Sequence, residues 1–465
     1  MRRQRGSRAT KPEMTDLEAQ RRHIADRLGL INREASEHGQ VEYLETLAFG
    51  PMLEVDRFQL ANGLQVLLCE DHSAPVAAVH TWFKVGSRHE KEGKTGLAHL
   101  FEHLMFNETE GRPAGAFDRL LEEAGAESNA STWLDWTQYS IVTPKESLML
   151  ALKLEAERMA HLVLREPQVD SEKEVVANER RYRVEDDVEG SISEVLWATA
   201  YTQHSYRWPT IGWMEDIEGF TTEDCREFYG TFYRPNNACL VLVGDFSTWA
   251  ALAQISELYG QMAPVPIPVE NNYPEPPQME ERRVELHKAT PSEKLSLGYH
   301  GPALGDADHI VISVLAEILF GGRASRMHRR LVRELGIATD VRIFVGPFRD
   351  PGLLEVYVGA EAAHTAEELL EAVDAELARV RDEVIPEGEI QRAQARLELG
   401  VLAGLETADG KASTLGFYDT LLRRPSAAFE RMQALMHVDA ADLRRVARRY
   451  FDPKRRTVVV VRVEK

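Results

Sequence analysis

The chain has 465 residues, 43% of them hydrophobic and 28% charged, with a net charge of −20 at pH 7. That length exceeds one compact core and implies two or more domains, while the negative charge argues against nucleic acid as the main partner. No apolar run approaches the ~18 residues of a membrane-spanning helix, and Cys69, Cys225 and Cys239, scattered and without CxxC spacing, read as reduced core residues of a cytoplasmic protein.

The basic start, MRRQRGSRATKPEMTD, is followed by no apolar segment, so it reads as a mobile tail rather than a secretory leader. A helix is expected after it, near residues 17–30. VDRFQLANGLQVLLCED (55–71) alternates about Asn62-Gly63, a two-residue hairpin signal. VAAVHTWFKVG (76–86) reads as the next strand. TGLAHLFEHLMFNE (95–108) has helical period, with Leu97, Leu100, Phe101 and Leu104 as its apolar positions. Further helices are expected over 148–164 and from 171 to about 187, and NACLVLVGDF (237–246) reads as a buried strand closing this half. In APVPIPVENNYPEPP (263–277), six of the chain's 21 prolines fall within 14 residues. This is an extended, semi-rigid connector and the best domain boundary in the chain.

The chain beyond this connector repeats the first half. FYRPNNACLVLVGDF (232–246) has an echo in YFDPKRRTVVVVRVE (450–464), with Pro235 matched by Pro453. LAHLFEHLMF (97–106) has one in ISVLAEILF (312–320). With Phe106 on Phe320, His99 falls on Ser313, Glu102 on Ala316 and His103 on Glu317. The helix can therefore be built without its polar trio, so packing does not demand it.

On a helix, His99 and His103 lie one turn apart on one face and can aim a ring nitrogen at one point, with Glu102 beside it. Two imidazoles suit Zn2+, but a catalytic zinc takes a third protein ligand from elsewhere. The alternative is a helix carrying two partly exposed histidines. Downstream, DSEKEVVANERRYR (170–183) carries Glu172 and Glu179 seven apart, two turns that bring both to one face about 10 Å apart.

In these motifs the chain resembles the pitrilysin-type (M16) zinc peptidases, most like the two-domain, processing-peptidase-like members of about 50 kDa. The resemblance rests on GLAHLFEHLMF, on Glu179 lying 76 positions after His103, on NASTWLDWTQY (129–139), on YRPNN (233–237), and on a second half that ends in a motif-free copy. It covers roughly residues 50–465. It implies an α+β fold of two homologous α/β half-domains, each a mainly antiparallel sheet flanked by helices, forming half of a clam-shell chamber. The expected division is an N-terminal tail and helix (1–48), a catalytic zinc-binding domain (49–262), a Pro-rich linker (263–280) and an inactive copy (281–465).

The resemblance also implies roles. His99, His103 and Glu179 would hold one Zn2+ per chain, and Glu102 would act as general base towards the attacking water. Glu172 would orient a ligand or that water from behind. Asn129 and Ala130 would lie on an edge strand to which a peptide substrate adds as a further strand.

Active members draw an Arg and a Tyr, seven apart, from a second-half domain to bind the substrate carbonyl. In DPGLLEVYVGAEAA (350–363) those places carry Leu354 and Glu361, and Thr339 stands where the preceding segment usually has an aromatic; Arg349 and Tyr357 are nearby but eight apart. The expectation is a zinc endopeptidase acting on unfolded peptides or small proteins, with a homologous partner subunit supplying the missing pair. The alternative is a non-catalytic, zinc-retaining structural or peptide-binding subunit.

Overall fold

The computed structural model describes residues 12–49, 53–270 and 273–464, so the first part of the expected basic tail lies outside the described residues. Helix α1 (Pro12–Glu34) leads into strands β1 (Val41–Phe49), β2 (Leu53–Leu60), β3 (Gln65–Glu70) and β4 (Val76–Phe83). Helices α2 (Leu97–Leu104) and α3 (Ala116–Glu123) precede β5 (Glu127–Thr132) and β6 (Thr137–Pro144). Then come α4 (Leu148–His161), α5 (Glu166–Arg180) with a π turn over Arg181–Glu185, and α6 (Val188–Ala200). The first half ends with α7 (Met214–Gly219), α8 (Thr222–Phe232), β7 (Ala238–Gly244) and α9 (Thr248–Tyr259). The second half runs β8 (Arg282–Lys288), β9 (Lys294–His300), α10 (Ala307–Phe320), β10 (Ala338–Val345), β11 (Leu353–Ala360) and α11 (Ala366–Asp382). It closes with α12 (Glu387–Gly404), α13 (Ala408–Leu422), α14 (Ala427–Leu435), α15 (Ala440–Tyr450) and β12 (Arg456–Val463).

These strands form two mixed sheets, ordered β1-β2-β3-β7-β4-β6-β5 and β10-β11-β9-β12-β8. Counted from β3 and from β8, the two orders correspond strand for strand. In each, the last strand of the half runs parallel to the first and antiparallel to the second. This is the α+β architecture of two half-domains that the repeats imply. The first sheet adds β1 and β2 to the shared pattern, so it begins at Val41, ahead of residue 49.

The near-continuous apolar runs of β7 and β12 follow from their place: both are interior strands covered on both faces. One face of the first sheet packs on α2, α4 and α9, and one face of the second on α10, α11 and α15. The other faces are covered reciprocally. α6, from the first half, lies on β9 and β12 of the second sheet, burying Ile192, Leu196 and Ala200 with Val459 and Val461. α13, from the second half, lies on β4 and β7, burying Ala412 and Leu415 against Trp82 and Val241. Polar contacts fasten α13 there: the ion pairs Arg57–Asp419 at 3.1 Å and Lys411–Asp71, and a hydrogen bond between His80 Nε2 and Asp409 Oδ1 at 2.8 Å.

The hairpin at Asn62-Gly63 forms, but with a longer loop than the sequence suggests. Leu60 N donates to Leu64 O at 3.0 Å, leaving residues 61–63 as the loop. The Asn62 side chain is drawn inward, donating to Tyr259 O at 2.9 Å and Met262 O at 3.0 Å. Only Gly63 then takes the positive φ, +90°. Residues 263–278 carry no helix or strand where they are described. Glu275 straps this segment down by accepting from the backbone N–H groups of Thr202, Gln203 and His204.

Candidate metal centre

Two helices supply the site. α2 commits Leu97, Leu100, Phe101 and Leu104 to the first core, and Tyr139 fixes its middle by donating to Phe101 O at 2.8 Å. α5 packs against α2, so Glu172 and Glu179, two turns apart, face His103 together. Glu179 Oε2 lies 3.7 Å from His99 Nε2 and 3.3 Å from His103 Nε2, and the two rings are 5.2 Å apart between centroids. One ligand atom from each of His99, His103 and Glu179 lies within 4.8 Å of the others, the one such grouping of three or more among the described residues.

The electrostatics of these donors differ. Burial pushes His99 down to about 4 and so keeps its imidazole neutral near pH 7, although the Glu179 charge pulls the other way. The bond from His103 holds Glu179 below the usual carboxylate range despite partial burial. Burial also pulls His103 down, but Glu179, Glu172 and Glu102 together leave it raised. The remaining Glu179 oxygen, Oε1, takes Arg183 Nε at 3.1 Å. Two imidazole nitrogens and one carboxylate oxygen at this spacing are the donor set a divalent zinc ion accepts. The residues present therefore fit such an ion.

Glu102, half-buried beside the three, is not among the converging donors. Burial raises its pKa, opposed by Thr132 of β5 alongside. Glu172 Oε2 faces His103 Nδ1 at 3.7 Å, and its Oε1 accepts from Asn107 Nδ2 at 3.2 Å. His99 Nδ1, by contrast, is buried without a hydrogen-bond partner among the described residues. β5 is an edge strand, paired on one side only, to β6. Asn129 on it is exposed, and its Oδ1 accepts from Ala130 N at 2.9 Å.

The second-half positions behave differently. Leu354 is buried in the second core, away from α6, and Glu361 follows β11 with its N–H on Ile337 O. Arg349 pairs with Glu270 of the linker at 2.7 Å. The Tyr357 ring lies 4.1 Å beneath the Arg342 guanidinium, and Thr339 Oγ1 donates to Gly359 O at 3.2 Å. Arg349 N also donates to Asp135 Oδ2 of the first half at 3.0 Å, and Tyr357 packs in the cluster around α6. Of Arg183, Asn107 and Thr132, sequence patterns leave the last two unmarked. Arg183 alone carries a signal, standing four positions after Glu179 on the same helical face.

Comparison with known proteins bears on the family and the fold. Residues 65–212 match the family described as Insulinase (Peptidase family M16), and residues 219–397 match the Peptidase M16 inactive domain. A zinc protease of Helicobacter pylori named PqqE is 30% identical over 411 residues, spanning 87% of this chain and 91% of that protein. The crystal structure of a protease from Helicobacter pylori superposes with a TM-score of 0.85 at 30% identity, covering 88% of this chain and all of that one. At the level of fold alone, a chain of complex III2 from Candida albicans, 18% identical, gives a TM-score of 0.74 over 87% of this chain and 95% of that chain. No helix among the described residues is long and apolar enough to cross a membrane. The chain belongs to the M16, pitrilysin-type family of peptidases.

Proposed function

We propose that this chain is a zinc-dependent endopeptidase. In this reading it hydrolyses peptide bonds of unfolded peptides or small proteins within an enclosed chamber, as the catalytic subunit of a dimer. The observation that carries the reading is the convergence of His99, His103 and Glu179 from two helices, with ligand atoms within 4.8 Å of one another and Glu102 alongside.

His99, His103 and Glu179 would hold the ion, which when bound supplies a nucleophilic water at neutral pH and stabilises negative charge on the scissile carbonyl. Glu102 then takes the proton from the attacking water and later passes it to the leaving amine. Its place beside the three ligands, half-buried and next to Thr132 of β5, suits it to both transfers. Glu172 would steady the His103 ring from its Nδ1 side. The free edge of β5, at Asn129 and Ala130, would take the peptide as an added strand through backbone hydrogen bonds. A homologous partner chain would supply the Arg and Tyr whose expected places hold Leu354 and Glu361.

Glu102→Gln tests the mechanism: it should keep its zinc and lose cleavage of a fluorogenic peptide. Cleavage at the wild-type rate would refute the role given to Glu102. A second reading, a zinc-retaining structural or peptide-binding subunit, is favoured by one observation, the burial of Leu354 in the core. Wild-type protein that holds zinc yet cleaves no peptide, with or without a paired homologous chain, would establish that reading instead.

A further inference from the structure

Helix α2 has only eight residues, too few to be stable without help from its surroundings. Its N-cap is Gly96, at φ +99°, and no side chain of that residue caps the first turn. Glycine is required there, because a Cβ would stand 2.5 Å from Ile211 O. Two N–H groups at the start of the helix nevertheless have side-chain partners. Gly96 N donates to Glu90 Oε2 and Ala98 N to Glu90 Oε1, both at 2.8 Å. Ala98 immediately precedes His99.

Glu90 is buried, 8% exposed, and forms no ion pair among the described residues. Burial pushes its carboxyl up to about 8, against the pull of the two N–H groups. An unpaired acid is costly in such a place, and packing alone would be served by an apolar residue. The segment carrying Glu90 is itself tied to the end of the edge strand: Ser87 N donates to Trp133 O at 3.2 Å and Arg88 N to Leu134 O at 2.9 Å. Just ahead of α2, Thr95 is anchored by Asp216, which accepts from Thr95 N at 3.0 Å and from Thr95 Oγ1 at 2.5 Å.

We propose that Glu90 is a positioning residue for the metal centre, gripping the start of α2 through two adjacent N–H groups and so setting His99 and His103 against Glu179 and against β5. This rests on the zinc reading above. Glu90 touches neither the ion nor the substrate; it acts through the helix.

The test is Glu90→Gln, nearly isosteric, in the full chain, with Glu90→Asp as a second variant that keeps the carboxylate on a shorter arm. Zinc affinity by chelator competition should fall about 10- to 100-fold in Glu90→Gln, the range for residues that hold ligands in place. The visible spectrum of the Co2+-loaded protein should shift, because the ligand field responds to His99 and His103 moving. In the metal-free protein, amides 97–101 should exchange faster while those of α11 in the second half stay unchanged. Glu90→Asp should fall between the wild type and Glu90→Gln on all three readouts, and it supplies the test should Glu90→Gln not fold. Zinc affinity within twofold of wild type, with an unshifted Co2+ spectrum and unchanged α2 exchange, would overturn the proposal. Wild-type protein with no zinc affinity would sink the zinc reading instead, and amide exchange in the metal-free proteins would still decide whether Glu90 holds the helix.

Discussion

Replacing Arg158 by Met should destabilise the first half by about 3–5 kcal/mol, whereas Glu155→Leu combined with Arg158→Met should lose only about 1–3 kcal/mol. Arg158 and Glu155 of α4 are an ion pair with both side chains 1% exposed. Glu155 also accepts from Thr81 Oγ1 at 2.7 Å. The Arg158 guanidinium lies 4.4 Å from the ring centre of Tyr139, 4.8 Å from that of Phe117 and 5.2 Å from that of Phe106. These rings lie against α2, since Phe106 follows it by two residues and contacts Phe117 and Tyr139, and Tyr139 bonds Phe101 O. Removing the cation alone strands a carboxylate in the core, which is the expensive outcome. Removing both charges leaves the Thr81 hydroxyl unmatched and forfeits the contacts with the rings, which is cheaper. Hydrogen exchange of the α2 and α4 amides reads the local opening free energy and avoids assuming two-state unfolding in a two-domain chain. A double variant as unstable as the single one, or a single variant losing under about 1 kcal/mol, would refute the reasoning.

Glu172→Ala should weaken zinc binding about tenfold, the lower end for a group behind a ligand, because its 3.7 Å approach to His103 Nδ1 is longer than a hydrogen bond; affinity unchanged in chelator competition would make Glu172 a solvated surface charge. His309, on α10 of the second half, is held neutral: burial pushes it down to about 4, and Arg431 donates to its Nδ1 at 2.8 Å. Its folded pKa thus lies below the ordinary value of about 6.5. The second half should lose stability as pH falls through that window towards 4, and His309→Gln should flatten the dependence of melting temperature on pH. Gly96→Ala should destabilise α2 by about 1–3 kcal/mol, through its +99° φ and the Ile211 carbonyl, and faster exchange of the α2 amides would register it.

Much of the site was legible because its chemistry is local. His99, Glu102 and His103 fall at helical spacing, and Glu179 repeats the two-turn offset from Glu172. The duplication was legible too, since β7 and β12 are interior strands with matching apolar runs. The exchange of α6 and α13 between sheets was not, because an amphipathic pattern states that a face is buried and never against what. Nor did the sequence explain what the second copy builds where the first has its candidate metal ligands. There Glu317, aligned with His103, pairs with Arg396 of α12, so an ion pair ties together the helices corresponding to α2 and α5. Glu90 was invisible because its role is a tertiary contact, not a motif: it caps a helix from a separate turn, six positions ahead of Gly96. The two-residue hairpin failed for a related reason, the Asn62 side chain being recruited to the end of α9.

The proposed function requires one cation between α2 and α5, and anomalous diffraction at the zinc edge from crystals of the full chain tests this most directly. The expected result is one peak per chain, at about 2.0–2.2 Å from a nitrogen of His99, a nitrogen of His103 and an oxygen of Glu179. Zinc-soaked crystals with no peak there, and Glu179 turned away from both histidines, would contradict it.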